Sequence, residues 1–433
     1  MSRSRRLDRP LLVVLGVAFL ARALFAAWAS RGAPTALVIT DQFMYWFHGQ
    51  NLAHGRGYIA YLTRTPSAYN PVGWPLMLAG VFAVTGVLGL DRYDVTAAVL
   101  LQLTLGVLIV WLVHQLAAAA LGRRIALVAA WLVALWPSQI AAVATFSIES
   151  AFTASYLAAL LILVRHDWSG GAPTTRRVIC FGLAIGLSAQ IRPFSMPMLL
   201  ALGVALLVAG HGWRAALKGT AVAVGCALVV FIPWTIRNAV QMDAFVPSST
   251  NLGDTMCMSR FPGSDGSFAF AVHEWCADST LPEVERNSAN MRAALRFVRD
   301  HPGEEVRLVG ARFARMMAHD HITLDEVVNN WGVTASSRTH LPVLAWTADV
   351  YYWTMMALAV PGIAVLVRDR RRSPTVAVLG CAAITLLVIP LGLWGAPRFH
   401  VPLLPLLAIA AATTVVQLSA AVAARRSARP AVT

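Results

Sequence analysis

Runs of about twenty apolar residues recur along almost the whole chain, and a hydrocarbon core takes about that many residues of helix per crossing. They lie at 11–29, at 97–120 and onward as far as residue 423. In lipid a helix satisfies its own backbone, so repeated runs of this length confine the chain to a bundle of membrane helices. Composition agrees: 58% of the 433 residues are hydrophobic and 13% are charged, too little polar surface for a water-soluble globule of this size.

The formal charge of +14 comes almost wholly from arginine, Lys218 being the only lysine. Such a bias suits a GC-rich bacterial genome. The arginines sit in short clusters between apolar runs and form no continuous stripe, which argues against nucleic-acid binding. Placing the clusters in the cytoplasm orients the chain: Arg3 to Arg9, Arg123 and Arg124, Arg165 to Arg177, Arg214 and Lys218, Arg368 to Arg372, and Arg425 to Arg429. About ten crossings follow, near 11–30, 95–120, 125–143, 148–165, 178–191, 194–210, 220–236, 346–367, 374–393 and 399–423, with both termini cytoplasmic. The first run, though preceded by Arg3, Arg5 and Arg6, is long enough to span and reads as a retained helix, not a cleaved signal.

Charge parity forces one further statement. If the apolar stretch 73–90 crossed, every later basic cluster would change sides, so it is expected to lie in the interface or to dip and return. It then belongs to a long first external loop, 31–94, within a membrane module 1–236. A second extracytoplasmic segment, 237–345, precedes the C-terminal membrane helices, 346–433. In that segment Pro282 opens a stretch with Met291, Ala294, Leu295 and Val298 at helical spacing, and Pro302 opens another with Val306, Val309, Phe313 and Met317. Arg307, Arg312 and Arg315 flank the second stripe, as in a helix lying on a membrane surface. Cys257 and Cys276 are the two cysteines outside the predicted spans, and a disulfide between them is expected on an oxidising face.

Chemistry can be sought at the external rim. Asp41 opens the first loop, followed by Tyr45, His54 and Tyr58. Glu149 starts a predicted helix, Arg192 and Arg237 follow two others, and Arg398 and His400 precede the last. Any one arginine could snorkel to headgroups, and Thr40-Asp41 has the form of a helix cap. Three arginines on the side expected to be poor in them are harder to assign to topology, and ionisable groups at membrane depth mark function. One carboxylate to accept a hydroxyl proton and guanidinium groups to hold a departing phosphate suit sugar transfer from a phosphate, with inversion at the anomeric carbon. His319-Asp320-His321 has the look of metal ligands, but beside an interfacial helix it reads as solvated, and no metal ligands are assigned.

The ordered motifs are Asp41-Gln42-Phe43-Met44-Tyr45 with Gly55-Arg56-Gly57-Tyr58, Tyr69-Asn70-Pro71-Val72-Gly73-Trp74-Pro75, Ser147-Ile148-Glu149, Ile191-Arg192-Pro193, Pro233-Trp234-Thr235-Ile236-Arg237-Asn238, and Arg398-Phe399-His400-Val401-Pro402. In order and spacing the chain resembles the GT-C membrane glycosyltransferases, in the branch containing protein O-mannosyltransferases and the bacterial lipid A aminoarabinose transferase. The resemblance implies an all-α GT-C fold with interfacial helices in the first loop and Asp41 as general base. It also implies a polyprenyl-phosphate-linked sugar as donor, mannosyl or arabinosyl by analogy, whose phosphate meets Arg192, Arg237 and Arg398. Glu149, Tyr45, Tyr58, His54, Asn70 and His400 are the candidates to line the site. The expected setting is a bacterial plasma membrane with the site extracytoplasmic, and the acceptor a lipid, glycan or protein. Two departures stand out. Gln42 follows Asp41 where the family often has a second acid, so the pair that would hold a divalent metal is incomplete, and Val72 replaces a second proline. A polyprenyl-phosphate transporter or flippase is the rival from another class, but the ionisable residues sit at helix ends and the halves show no evident repeat, against that rival's expected pattern.

Overall fold

A computed structural model describes residues 9–29, 40–269, 275–277, 280–331, 340–368 and 373–427. Arg3, Arg5, Arg6, the loop residues 31–39, the arginines 370–372 and Arg429 lie outside these. Among the described residues the regular structure is helical, apart from one isolated bridge between Ile59 and Pro66. The chain is a multi-span membrane protein. Five helical stretches are long and apolar enough to cross: Arg9–Ala29, Asp91–Leu121, Leu341–Arg368, Pro374–Gly392 and Pro397–Arg425. Two bent pairs bring the number to seven if each is one span: Arg123–Ala134 with Pro137–Ala144, bent by 60°, and Gly212–Val229 with Ile232–Met242, bent by 45°.

Three of the ten expected crossings fall outside these stretches because their helices are short. The predicted spans at 148–165 and 178–191 are helices of 16 and 17 residues, Glu149–Val164 and Thr175–Ile191, about 25 Å each at 1.5 Å per residue. The span at 194–210 opens as a 3-10 turn, Pro193–Leu199, with Pro197 inside it, before the helix Leu200–Val208 begins. Pro137 and Pro233 stand within the first turn after the two bends, where a missing N–H costs least. The stretch 73–90 forms a 15-residue helix, Gly73–Val87, that packs through Trp74, Leu78 and Phe82 and leaves Leu76, Val84 and Val87 exposed.

We label the elements used below α1 (Arg9–Ala29), α2 (Asp41–Ala53), α3 (Gly73–Val87), α4 (Asp94–Leu121), α5 (Arg123–Ala134), α6 (Pro137–Ala141), α7 (Glu149–Val164), α8 (Thr175–Ile191), α9 (Leu200–Val208), α10 (Gly212–Val229), α11 (Ile232–Met242), α12 (Leu252–Cys257), α13 (Glu283–Asp300), α14 (Pro302–Met316), α15 (Ile322–Trp331), α16 (Leu341–Arg368), α17 (Ser373–Val388) and α18 (Leu404–Ser427). The core forms where α4 packs on α5 and α7 and α18 packs on α16 and α5. A charged residue is packed into it. Arg22, inside α1, is buried and donates from Nη1 to Ala134 O at 3.2 Å and from Nη2 to Val133 O at 3.5 Å. These carbonyls end α5 just before Pro137, so Arg22 caps the break from a neighbouring helix. Gly106 of α4 makes room, since a Cβ there would stand 2.5 Å from Arg22 Nε.

At one end of the bundle the two long loop segments are bonded to each other. Glu283, in the first turn of α13, accepts from Ser67 Oγ at 2.7 Å, from Ala68 N at 2.8 Å and from Thr250 Oγ1 at 2.5 Å. Cys257 and Cys276 are joined by a disulfide with Cα atoms 5.9 Å apart. The helices begin where Pro282 and Pro302 signal them, but their buried faces are rotated from the apolar stripes. Asn290, Ala294 and Phe297 are buried in α13, and Leu308, Arg312 and Met316 in α14, while Leu295, Val306, Val309 and Phe313 are exposed. Arg312 turns inward because Glu305 meets it at 2.7 Å and also holds Arg260 at 2.7 Å. Its buried charge is therefore paired.

Candidate active site

Four short segments build the site: the turn Pro397–Phe399 carries Arg398, and each of the other three is fixed by a local device. Thr40 caps α2 by accepting from Phe43 N, which sets Asp41 in the first helical turn. The segment 145–148 has no regular structure, and three side chains hold its backbone. Trp74 Nε1 donates to Phe146 O at 2.7 Å, Gln102 Nε2 to Thr145 O and Ser147 O at 3.0 and 2.8 Å, and Phe146 N donates to Gln42 Oε1 at 2.9 Å. Glu149 then opens α7 beside Ser147, whose hydroxyl it accepts. Gly73 starts α3 against the end of α8, where a Cβ would lie 2.6 Å from Gln190 O, and this close approach fixes the turn from which Arg192 emerges.

Two ion pairs result. Arg192 Nη2 meets Glu149 Oε1 at 2.8 Å, both side chains nearly enclosed, and Phe152, Phe194 and Phe399 surround the guanidinium at 5.9, 5.2 and 5.5 Å. Its Nη1 has no partner among the described residues. Arg398 Nη1 meets Asp41 Oδ2 at 2.8 Å in a far more open setting, its guanidinium carbon 5.1 Å from the Trp394 ring centre. Asp41 Oδ1 is bonded to no described residue. Phe399, between the arginines, contacts both guanidinium groups.

Two more residues complete the electrostatics. Glu326 of α15 accepts from Gln42 Nε2 at 3.0 Å. Burial, followed by the charge of Glu149, pushes its carboxyl up to about 8. It is then mostly protonated at pH 7, so two carboxylates face two guanidinium groups. Tyr45 is buried in the core, and burial with the nearby Asp41 carboxylate pushes its hydroxyl upward, so it stays a neutral donor. The arrangement offers a carboxylate oxygen at an open mouth, an unpartnered arginine N–H behind it, and aromatic walls.

Residues 70–236 match the family model described as dolichyl-phosphate-mannose-protein mannosyltransferase. The oligosaccharyltransferase of Archaeoglobus fulgidus in its apo form is similar over 100% of this chain and 53% of its own, at 15% identity and a TM-score of 0.57. This is a GT-C fold. The archaeal oligosaccharyltransferase AglB from the same organism, in complex with an inhibitory peptide and a dolichol-phosphate, aligns over 98% of this chain and 52% of its own, at 15% identity and a TM-score of 0.50. ArnT from Cupriavidus metallidurans bound to undecaprenyl phosphate aligns over 94% and 78%, at 13% identity and 0.46. The GT-C chain spans about half the length of the archaeal structures. No curated protein matches it.

Within this GT-C fold the site residues expected from sequence separate into two groups. Asp41, Tyr45, Glu149, Arg192 and Arg398 come together. Arg237 does not join them: it donates to Ser67 O at 2.6 Å, to Tyr58 O at 2.5 Å and to Asn238 Oδ1 at 2.9 Å, which fastens α11 to the first loop. Tyr58 is buried in a small second core with Trp234 and Val246, its hydroxyl on Asn70 O at 2.9 Å, so Tyr58 and Asn70 build the loop and do not line the mouth. His54 is exposed at the far end of α2, about 20 Å from Asp41 at 1.5 Å per residue. His400 turns inward, with Nδ1 2.5 Å from Met316 O and Nε2 3.0 Å from Asp320 Oδ1. Asp320 is itself buried, accepting from Trp136 Nε1 at 2.7 Å and Ser138 Oγ at 2.6 Å, where a solvated residue was expected.

Sequence reasoning passed over Gln42 and Glu326. Gln42 was noted as a missing acid, yet its amide accepts from Phe146 N and donates to Glu326, two tasks an ionised carboxylate cannot combine. Glu326 carried no local signal, since the partner that accounts for it, Gln42, lies 284 residues away in the chain.

Proposed function

We propose that the chain is an inverting glycosyltransferase that moves a sugar from a polyprenyl-phosphate donor to an envelope acceptor on the extracytoplasmic side of a bacterial plasma membrane. The observation that carries this is the open Asp41–Arg398 pair set beside Arg192, whose Nη1 is without a protein partner. The GT-C fold supports it, as do the dolichyl-phosphate-mannose family match and the dolichol-phosphate in the similar AglB structure.

In this reading the donor phosphate takes Arg192 Nη1 and competes with Asp41 for Arg398. Asp41 then accepts the proton of the acceptor hydroxyl as its oxygen bonds to the anomeric carbon. The bond from that carbon to the phosphate oxygen breaks, and its electron pair leaves with the polyprenyl phosphate, so the anomeric centre inverts. Charge grows on the phosphate as it departs, where fixed guanidinium groups in a water-poor site act most strongly. Tyr45 keeps a neutral O–H near Asp41, and Arg237 holds the loop that carries both. The test is transfer from labelled polyprenyl-phosphate sugars to an envelope extract by purified protein. The expected result is transfer by the wild type and its loss in Asp41→Asn with lipid binding retained; equal transfer by both overturns the assignment.

A further inference from the structure

Away from this site, a second group of side chains has the chemistry of a metal centre. His319 and His321 stand in the turn between α14 and α15, and Asp349 is in α16, across from them. One ligand atom from each lies within 4.8 Å of the other two. His321 Nδ1 is 2.7 Å from Asp349 Oδ2, while Asp349 Oδ1 accepts the Asp320 N–H at 2.8 Å, which fixes the carboxylate. The two imidazoles lie parallel, centroids 3.9 Å apart and planes 14° from each other. His319 Nδ1 is buried with no partner among the described residues.

A hydrogen bond from His321 to Asp349 accounts for only two of these groups. It leaves a buried nitrogen of His319 unsatisfied and does not explain why a second imidazole is laid against the first. A cation among the three ligand atoms, met when one imidazole turns out of the stack so that both ring nitrogens converge, would satisfy all of them. Two imidazole nitrogens and one carboxylate oxygen suit zinc, with water in the fourth position. The backbone bond to Asp349 supplies the outer-shell support that such ligands usually have.

We propose that His319, His321 and Asp349 bind one zinc ion, which ties the turn after α14 to membrane helix α16. The placement gives the ion something to hold. Asp320, between the two histidines, anchors the break between α5 and α6 through Trp136 and Ser138, and holds His400 two residues from Arg398. The proposal is independent of the transfer reading, since none of the three ligands touches Asp41, Glu149, Arg192 or Arg398.

The test uses full-length protein without a histidine tag, stripped by chelator in detergent and titrated with Zn²⁺ by calorimetry, with metal content measured after dialysis. One zinc per chain is expected, together with a higher melting temperature. His319→Ala and, as a gentler change that keeps the bond from Asp320 N, Asp349→Asn should each weaken binding more than about 100-fold, beyond the usual cost of losing an outer-shell contact. Cobalt substituted into the wild type should give visible d–d bands without thiolate charge transfer, a readout that needs no variant to fold. Failure of the wild type to bind zinc, unchanged affinity in both variants, or a thiolate band from one of the free cysteines would each overturn the proposal.

Discussion

Arg192–Glu149 and Arg398–Asp41 are both closed at 2.8 Å, yet the side chains of the first pair are 10% and 7% exposed and those of the second 26% and 46%. Equal distance hides unequal roles. In the enclosed pair each charge has lost its water and depends on the other, so removing one partner strands its mate. In the open pair Asp41 keeps nearly half of its side chain in contact with water, which screens its charge and weakens its dependence on Arg398. Its members can exchange partners cheaply, which a proton acceptor and a phosphate ligand both require. In the proposed transfer the enclosed pair therefore holds Arg192 in place, its Nη1 kept for the donor phosphate, and the open pair is where the proton can move.

The largest effect that would sharpen this contrast is on turnover. Asp41→Asn should lower sugar transfer by about 10²–10⁴-fold, the usual worth of a general base, while the melting curve moves less than for a variant of the enclosed pair. Next comes the enclosed pair. Glu149→Gln should destabilise the protein by about 3–5 kcal/mol in detergent denaturation, and Glu149→Leu with Arg192→Met should recover most of that loss. If the single and double variants melt alike, the two pairs do not differ as described. Smaller again is Gln42→Leu, which removes the bond Gln42 accepts from Phe146 N and the one it donates to the Glu326 carboxyl. Thermal melting should fall by about 1–3 kcal/mol.

The mildest test uses pH. Glu326 has its carboxyl raised from 4.5 to about 8, so between those values the folded chain holds a proton that the unfolded chain releases. Stability linked to this group is therefore full below about 4.5 and declines as pH rises through about 8. Glu326→Gln should flatten that part of the melting-temperature profile. A slope that survives the substitution assigns it to another group.

The membrane class and the rim were legible because apolar run length and charge placement are local properties. Asp41 could be singled out from its place after the first span, but its partner is 357 residues away, and no local pattern reports such a pairing. Arg237 and Arg398 look alike in sequence, each at the edge of an apolar run. One is taken up by Ser67 and Tyr58 carbonyls and the other meets a carboxylate, a distinction made only by the path of the first loop. Ten crossings were expected and up to seven stretches pass on length and composition, because hydropathy registers apolar content and not that the helices at 149–164, 175–191 and 200–208 are short. Asp320 and Glu326 were lost in a polar stretch because partner groups, not their own neighbours in sequence, make their burial tolerable.

Arg22 has a consequence for how the protein is made. It sits well inside α1, where an unpartnered arginine costs about 2.5–3.5 kcal/mol on insertion scales. The carbonyls that receive it at Ala134 lie 112 residues downstream. At about 5–20 residues per second, the ribosome takes roughly 6–20 s to deliver them. Throughout that interval the first helix must be retained beside the insertion machinery or shielded by water drawn into the bilayer, and it reaches its resting place only when α5 arrives.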